Sequence, residues 1–224
     1  MQDPSPLPSR GDHAGASDAI RMQILATEHW SLLATRSMTW NEMFSRAGMF
    51  ITTLSAAVVA LALVAQATDF GDNFRVFALF ILPIVLLLGI GTFIRLGDAR
   101  EEDVMLVAGM NRLRHAYLEM APELAPYFVT SHHDDMAGIM QTYGDRPEIR
   151  PSRILASTPA LVGIIDGVLA GFLAALVAVA LGASLMMYVT TGIVATLCSI
   201  AVIATVPFRD IARVRREYRA RFPG

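Results

Sequence analysis

The sequence predicts an all-α, polytopic membrane protein with four transmembrane helices and helical cytoplasmic segments. Three observations carry this. The apolar residues gather into four runs, each long enough at 1.5 Å per residue to cross a hydrocarbon core of about 30 Å. Only 17% of the 224 residues are charged, against about 25% in ordinary soluble domains, while 54% are hydrophobic and the mean hydropathy is +0.49. The basic residues, all eighteen of them arginine, concentrate on one side of the apolar runs. The net charge of −2 gives no global basic field, so nucleic acid is not an expected partner.

In chain order, residues 1–17 are polar and rich in Pro, Gly and Ser, and are expected to be a disordered tail without the apolar stretch of a signal peptide. Ser17 or Asp18 is placed to cap a helix, and residues 18–46 read as an amphipathic cytoplasmic helix. Leu25, Leu32, Leu33, Trp40, Met43 and Phe44 recur near helical spacing, and Glu42 and Arg46 form an i,i+4 pair. Trp30 and Trp40 mark interfacial depth or pack against another cytosolic helix.

Residues 47–96 form the first transmembrane hairpin. Its spans, 47–67 and from Phe74 or Arg75 to Ile94, are joined by an acidic turn, and Arg95 ends the second. Pro83 predicts a kink. The segment 97–158 is the cytoplasmic part between hairpins: a helix over 98–120, punctuation at Pro122 and Pro126, a short helix over 132–143, then a basic approach to the membrane. Residues 159–208 form the second hairpin, with Pro159 at the first helical position, a turn at Gly182, and a fourth span from Ser184 or Leu185 that Pro207 ends. The tail 209–224 carries six arginines and is expected to form a short basic helix. The two short turns within the hairpins hold only Arg75, so both termini and the central segment are expected in the cytoplasm of a bacterial inner membrane.

The third span concentrates the candidate sites. Gly163, Gly167 and Gly171 recur every four residues and keep one face bare, which favours close approach of another helix within or between subunits. Asp166 begins a neighbouring row continued by Ala170, Ala174 and Ala178. An ionised carboxylate inside a span costs roughly 2.5–3.5 kcal/mol at mid-bilayer, so such residues pair, or serve ions and protons. Arg95, at a comparable depth, is the expected partner, either in a structural pair or at the mouth of an ion pathway.

Other residues have plainer readings. His132, His133, Asp134 and Asp135 are metal-ligand types, but adjacent helical residues point about 100° apart, and Ser131 to Asp134 fits a helix-capping pattern. No metal site and no cofactor is therefore predicted. His29 and His115 read as solvated or packed helix residues. Arg209, Arg213, Arg215, Arg216 and Arg219 are suited to anionic lipid at about 1 kcal/mol each, or simply set topology. Cys198 stands alone inside a span and has no disulfide partner. No nucleophile elbow, zinc-helix, phosphate-loop or dinucleotide signature is present, so no catalytic residue and no enzyme activity is predicted.

At EHWSLLATRSMTWNEMFSRAGMF (28–50) and VAGMNRLRHAYLEMAPELAPYFV (107–129) the chain resembles a group of uncharacterised actinobacterial four-span integral membrane proteins. In layout alone, its first hairpin is similar to the two-span SLATT modules, which are proposed pore-forming effectors. Neither resemblance carries a functional residue. The expected function is a non-enzymatic membrane scaffold or interaction protein, in contact with the bilayer, self-associating, and offering helices to a cytoplasmic protein partner. The alternative is an oligomeric ion channel or effector pore with Asp166 near its cytoplasmic entrance.

Overall fold

The computed structural model describes residues 10–144 and 157–224, without the side chains of residues 10–16, 207–208 and 210–217. It is all-helical, with 86% of residues in helix and no strand among the described residues. Its elements are α1 (Arg10–Thr68), α2 (Asp72–Met120), a 3-10 turn (Pro122–Tyr127), α3 (Met136–Thr142), α4 (Thr158–Ala180) and α5 (Leu185–Glu217). Helices α1, α2, α4 and α5 are each long and apolar enough to span a membrane.

Three helices outrun their predicted ends. α1 starts at Arg10, ahead of the cap expected at Ser17 or Asp18. α2 carries on past Arg95 and Gly97, merging the second span with the helix predicted over 98–120. α5 runs through Pro207 to Glu217, so the basic tail continues the fourth span rather than starting afresh. Extending a formed helix adds a bond per residue and needs no new nucleus, which a single Gly does not offset. Pro83 likewise lies inside uninterrupted helix, where its missing N–H leaves one carbonyl without its usual donor. The basic stretch 145–153 lies outside the described residues.

The chain divides into two compact units. One comprises Thr39–Glu102 and Pro147–Tyr218, and holds the apolar core. There Phe50, Ala57 and Ala65 of α1 join Phe74, Ala78, Leu82, Val85, Leu96 and Ala99 of α2, with Val162 and Leu169 of α4. The α1–α2 turn is tight: Asp69 and Phe70 both take left-handed backbone (φ 46° and 56°), and the Gly71 amide donates to the Thr68 carbonyl at 2.8 Å.

α4 begins at Ser157, whose hydroxyl accepts from the Ala160 amide at 3.4 Å, with Pro159 in the first turn. It ends in a Schellman motif. Gly182 has φ +82°, its N–H donates to the Val179 carbonyl, and the Ala183 N–H reaches back to Ala178, both at 3.0 Å. The chain thus returns at once as α5, and the glycine row faces it. A Cβ on Gly163 would stand 2.5 Å from Ile203 Cγ2, and one on Gly167 would stand 2.6 Å from Ile200 Cγ1. At Gly171 it would run into Thr196 and lie 2.6 Å from the Gly192 carbonyl. The row is therefore consumed within the chain.

The other unit is drawn from Met1–Met38, Asp103–Arg146 and Arg219–Gly224. It joins the leading part of α1, the trailing part of α2, the 3-10 turn, α3 and the C-terminal residues. His29 of α1 stacks on Tyr117 of α2 at 5.9 Å, and Leu32 packs over Gly109.

Gly167→Leu should lower the thermal stability of the detergent-purified protein by about 1–3 kcal/mol, the range for overpacking a closed contact. Gly91→Leu, where nothing lies within 4 Å of the added Cβ, should change it by less than about 1 kcal/mol. Thermal melts of both variants check the contrast.

Candidate functional site

The predicted pair of Asp166 and Arg95 does not form. Asp166 is 2% exposed on the face of α4 toward α2, where its carboxyl lies against Gly89 and the Phe50 ring is close by. Any side chain at Gly89 would collide with it. Both carboxyl oxygens are buried without a hydrogen-bond partner. Arg95 is taken elsewhere. Its Nε and Nη2 donate to Glu42 at 3.2 and 3.1 Å, and its Nη1 to Glu102 at 2.8 Å. Arg46 Nε also donates to Glu42, at 2.8 Å. The pair predicted on one helix is thus part of a network of four charges. Hydrogen bonds from Arg95, then Arg46, hold the Glu42 carboxyl down at about 2. The sequence reading missed that α2 continues as helix past Arg95, which brings Glu102 back within reach seven residues on.

Of the predicted lipid-facing arginines, Arg209 and Arg219 are exposed, and the side chains of Arg213, Arg215 and Arg216 lie outside the described residues.

The densest polar chemistry belongs to the other unit. Asp103, 3% exposed on α2, accepts from Arg36 Nε of α1 and from the Tyr143 hydroxyl, both at 2.6 Å. The same guanidinium lies 5.8 Å from the centre of the Tyr143 ring. Its bond to Asp103 is what raises the Arg36 pKa, against the opposing effect of burial. Asn111, fully buried, accepts from Arg114 at 2.7 Å and from the Thr142 hydroxyl at 3.0 Å, and donates to the His133 carbonyl at 2.7 Å.

Asp134 is the second hub, with no exposed surface. Arg112 Nε donates to it at 2.6 Å, and the backbone amides of Arg221 and Phe222 donate at 3.0 and 2.8 Å. The Gly224 amide adds a bond of 3.2 Å to Asp135. The last residues of the chain are therefore a strap clamped on the segment before α3. This corrects the cap predicted at Ser131. The cap is Asp135, whose carboxylate accepts the Gly138 amide at 2.7 Å, and α3 starts at Met136. The Ser131 hydroxyl instead accepts the His133 amide at 3.1 Å.

Residues 131–134 are consequently irregular, so His132 and His133 are not helical neighbours and need not diverge. Their rings lie 4.1 Å apart, and His115 of α2 stacks 5.9 Å from His132. One ligating nitrogen from each of the three lies within 4.8 Å of the others. Phe222 covers His115 at 4.2 Å. Nδ1 of His115 and Nδ1 of His133 are buried without a partner, each an unmet cost of about 1–3 kcal/mol. Burial first, then His133 and His115, lowers the His132 pKa. No spacing rule links a helical histidine to a pair seventeen residues on, so the sequence offered no signal for this cluster. His29, by contrast, is the packed helix residue expected.

Comparison with family models, curated proteins and solved structures finds no match to this chain.

Asp134→Ala removes the carboxylate that accepts from Arg112 Nε and from two backbone amides. It should cost about 3 kcal/mol, as for breaking a buried charge pair, and free the strap. Carboxypeptidase digestion followed by intact mass should then remove Phe222 from the variant and spare it in the parent.

Proposed function

We propose that the chain is a non-enzymatic bacterial inner-membrane protein, both termini cytoplasmic, that anchors a folded helical module and associates with proteins through it. The observation that carries this is apolar surface on the unit that holds α3 and the strap. Trp30 is 72% exposed there, with Leu33 beside it over a shallow groove formed with Ala26, His29 and Tyr117. Large side chains left uncovered outside the spans favour a protein partner. A common side for both termini is supported by the makeup of that unit, in which the leading part of α1, the trailing part of α2, α3 and the strap fold together.

Self-association rests on α5. None of its most apolar stretch is buried, and Leu185, Met186, Met187, Ile193 and Leu197 are exposed to lipid or to a second copy. The glycine row, already filled by α5, does not serve this purpose.

One observation favours the second reading, an oligomeric pore or ion pathway: Asp166 keeps two buried oxygens without a partner. Intramembrane carboxylates of that kind commonly serve ions or protons. Native mass spectrometry from detergent and planar-bilayer recording separate the two. Anchoring predicts several copies, silent bilayers, and loss of assembly or yield in Asp166→Asn. Steady conductance that Asp166→Asn alters by tenfold or more would overturn it in favour of the pore.

A further inference from the structure

We propose that His115, His132 and His133 bind one divalent transition-metal ion of the zinc class. Their nitrogens converge within 4.8 Å from two separate elements, α2 and the irregular segment before α3. Around a tetrahedral ion at about 2.0–2.1 Å, neighbouring nitrogens lie about 3.3 Å apart, so small ring rotations close the site. The ligand set contains imidazole and, among the described residues, no converging thiolate or carboxylate, which suits Zn²⁺, Co²⁺, Ni²⁺ or Cu²⁺ and not Ca²⁺ or Mg²⁺.

The surroundings are those of a held site. Ser131 accepts the His133 amide, and Asn111 donates to the His133 carbonyl, which fixes the backbone that presents both rings. Gly138 leaves room for that carbonyl, since a Cβ there would collide with it. His115 turns Nε2 toward Glu119 Oε1 at 3.6 Å while its Nδ1 stays unpartnered. The separation is longer than a hydrogen bond, and a small shift of the exposed Glu119 side chain would complete the carboxylate contact by which metal-bound histidines are commonly oriented. His133 offers a second buried, unpartnered Nδ1. Simple ring stacking would explain the proximity of the three imidazoles, but not why two buried nitrogens are left without hydrogen bonds. Three protein ligands leave a fourth position for water. An ion here ties the segment before α3 to α2, beneath the strap that carries Phe222.

The untagged full-length protein, purified in detergent and stripped with chelator, is titrated with Co²⁺ by visible absorption and loaded with Zn²⁺ for elemental analysis. One ion per chain and a tetrahedral Co²⁺ spectrum are expected. His115→Gln and His133→Gln should each weaken binding by at least about 100-fold, and Glu119→Gln by about tenfold, as for an outer-shell carboxylate. Glu28→Gln, at an exposed position of α1, should bind as the parent does. Should the ligand variants fail to fold, the parent alone decides. Zn²⁺ should protect His115, His132 and His133, but not His29, from diethyl pyrocarbonate. Absence of stoichiometric uptake by the parent, parent-like affinity in both ligand variants, or equal modification with and without Zn²⁺ would overturn the proposal.

Discussion

Helices surrounded by lipid gain nothing by hiding apolar side chains from one another, so what holds them is close backbone approach. The fit of Gly163, Gly167 and Gly171 against Ile203, Ile200 and Thr196 is that constraint in its most explicit form. The Schellman turn at Gly182 reverses the chain without a spacer, and the bare face of α4 then receives the helix that follows. The opposite side of α4 rests on α2 through Gly89, Val162 and Leu169. Close approach on two sides is why Asp166 is buried: the glycine opposite it leaves room for a carboxyl where any side chain would collide.

The long helices follow a related rule in two chemical dialects. The buried and half-buried positions of α1 step by three and four along its length, through Leu25, His29, Leu32, Arg36, Thr39 and Met43, then on to Phe50, Leu54, Ala57 and Leu61. α2 does the same from Phe74 through Ala78, Val85, Gly89 and Thr92 to Leu96, Ala99 and Asp103. Such spacing is that of a coiled-coil seam. In the apolar unit it is filled by Ala, Gly, Leu and Phe. In the other unit the same period carries His29 on Tyr117 and Arg36 on Asp103, polar pairs that water-exposed helices tolerate and lipid does not. One period written with two residue sets explains why no break in helix marks the passage between them.

This also bounds what was legible in the sequence. The four spans, the turn at Gly182 and the close-packing role of the glycine row could be read because each is local: composition, a left-handed glycine, or a four-residue repeat. Helix ends at Gly97 and Pro207 were misjudged because single breakers are outweighed by the cooperativity of long helices. The Asp166–Arg95 pairing failed for want of one fact, that Glu42 and Glu102 sit nearer to the guanidinium. The histidine cluster and the Asp134 strap join residues far apart in the chain, and 87 positions separate Asp134 from Arg221. Contacts of that kind leave no periodic trace.

Three buried carboxylates make the contrast between the units concrete. Asp103 has a guanidinium and a phenol, and Asp134 has a guanidinium and two amides, so each is matched by donors. Each joins segments distant in the chain, which gives both a structural role. Asp166 is as deeply buried and has no donor at all. Within a span, an alanine would occupy that place against Gly89 with less desolvation. Packing therefore does not account for the carboxyl. Its presence is what ties the second functional reading to this residue, and it is also why Asp166→Asn, nearly isosteric, separates a role in conduction from one in assembly.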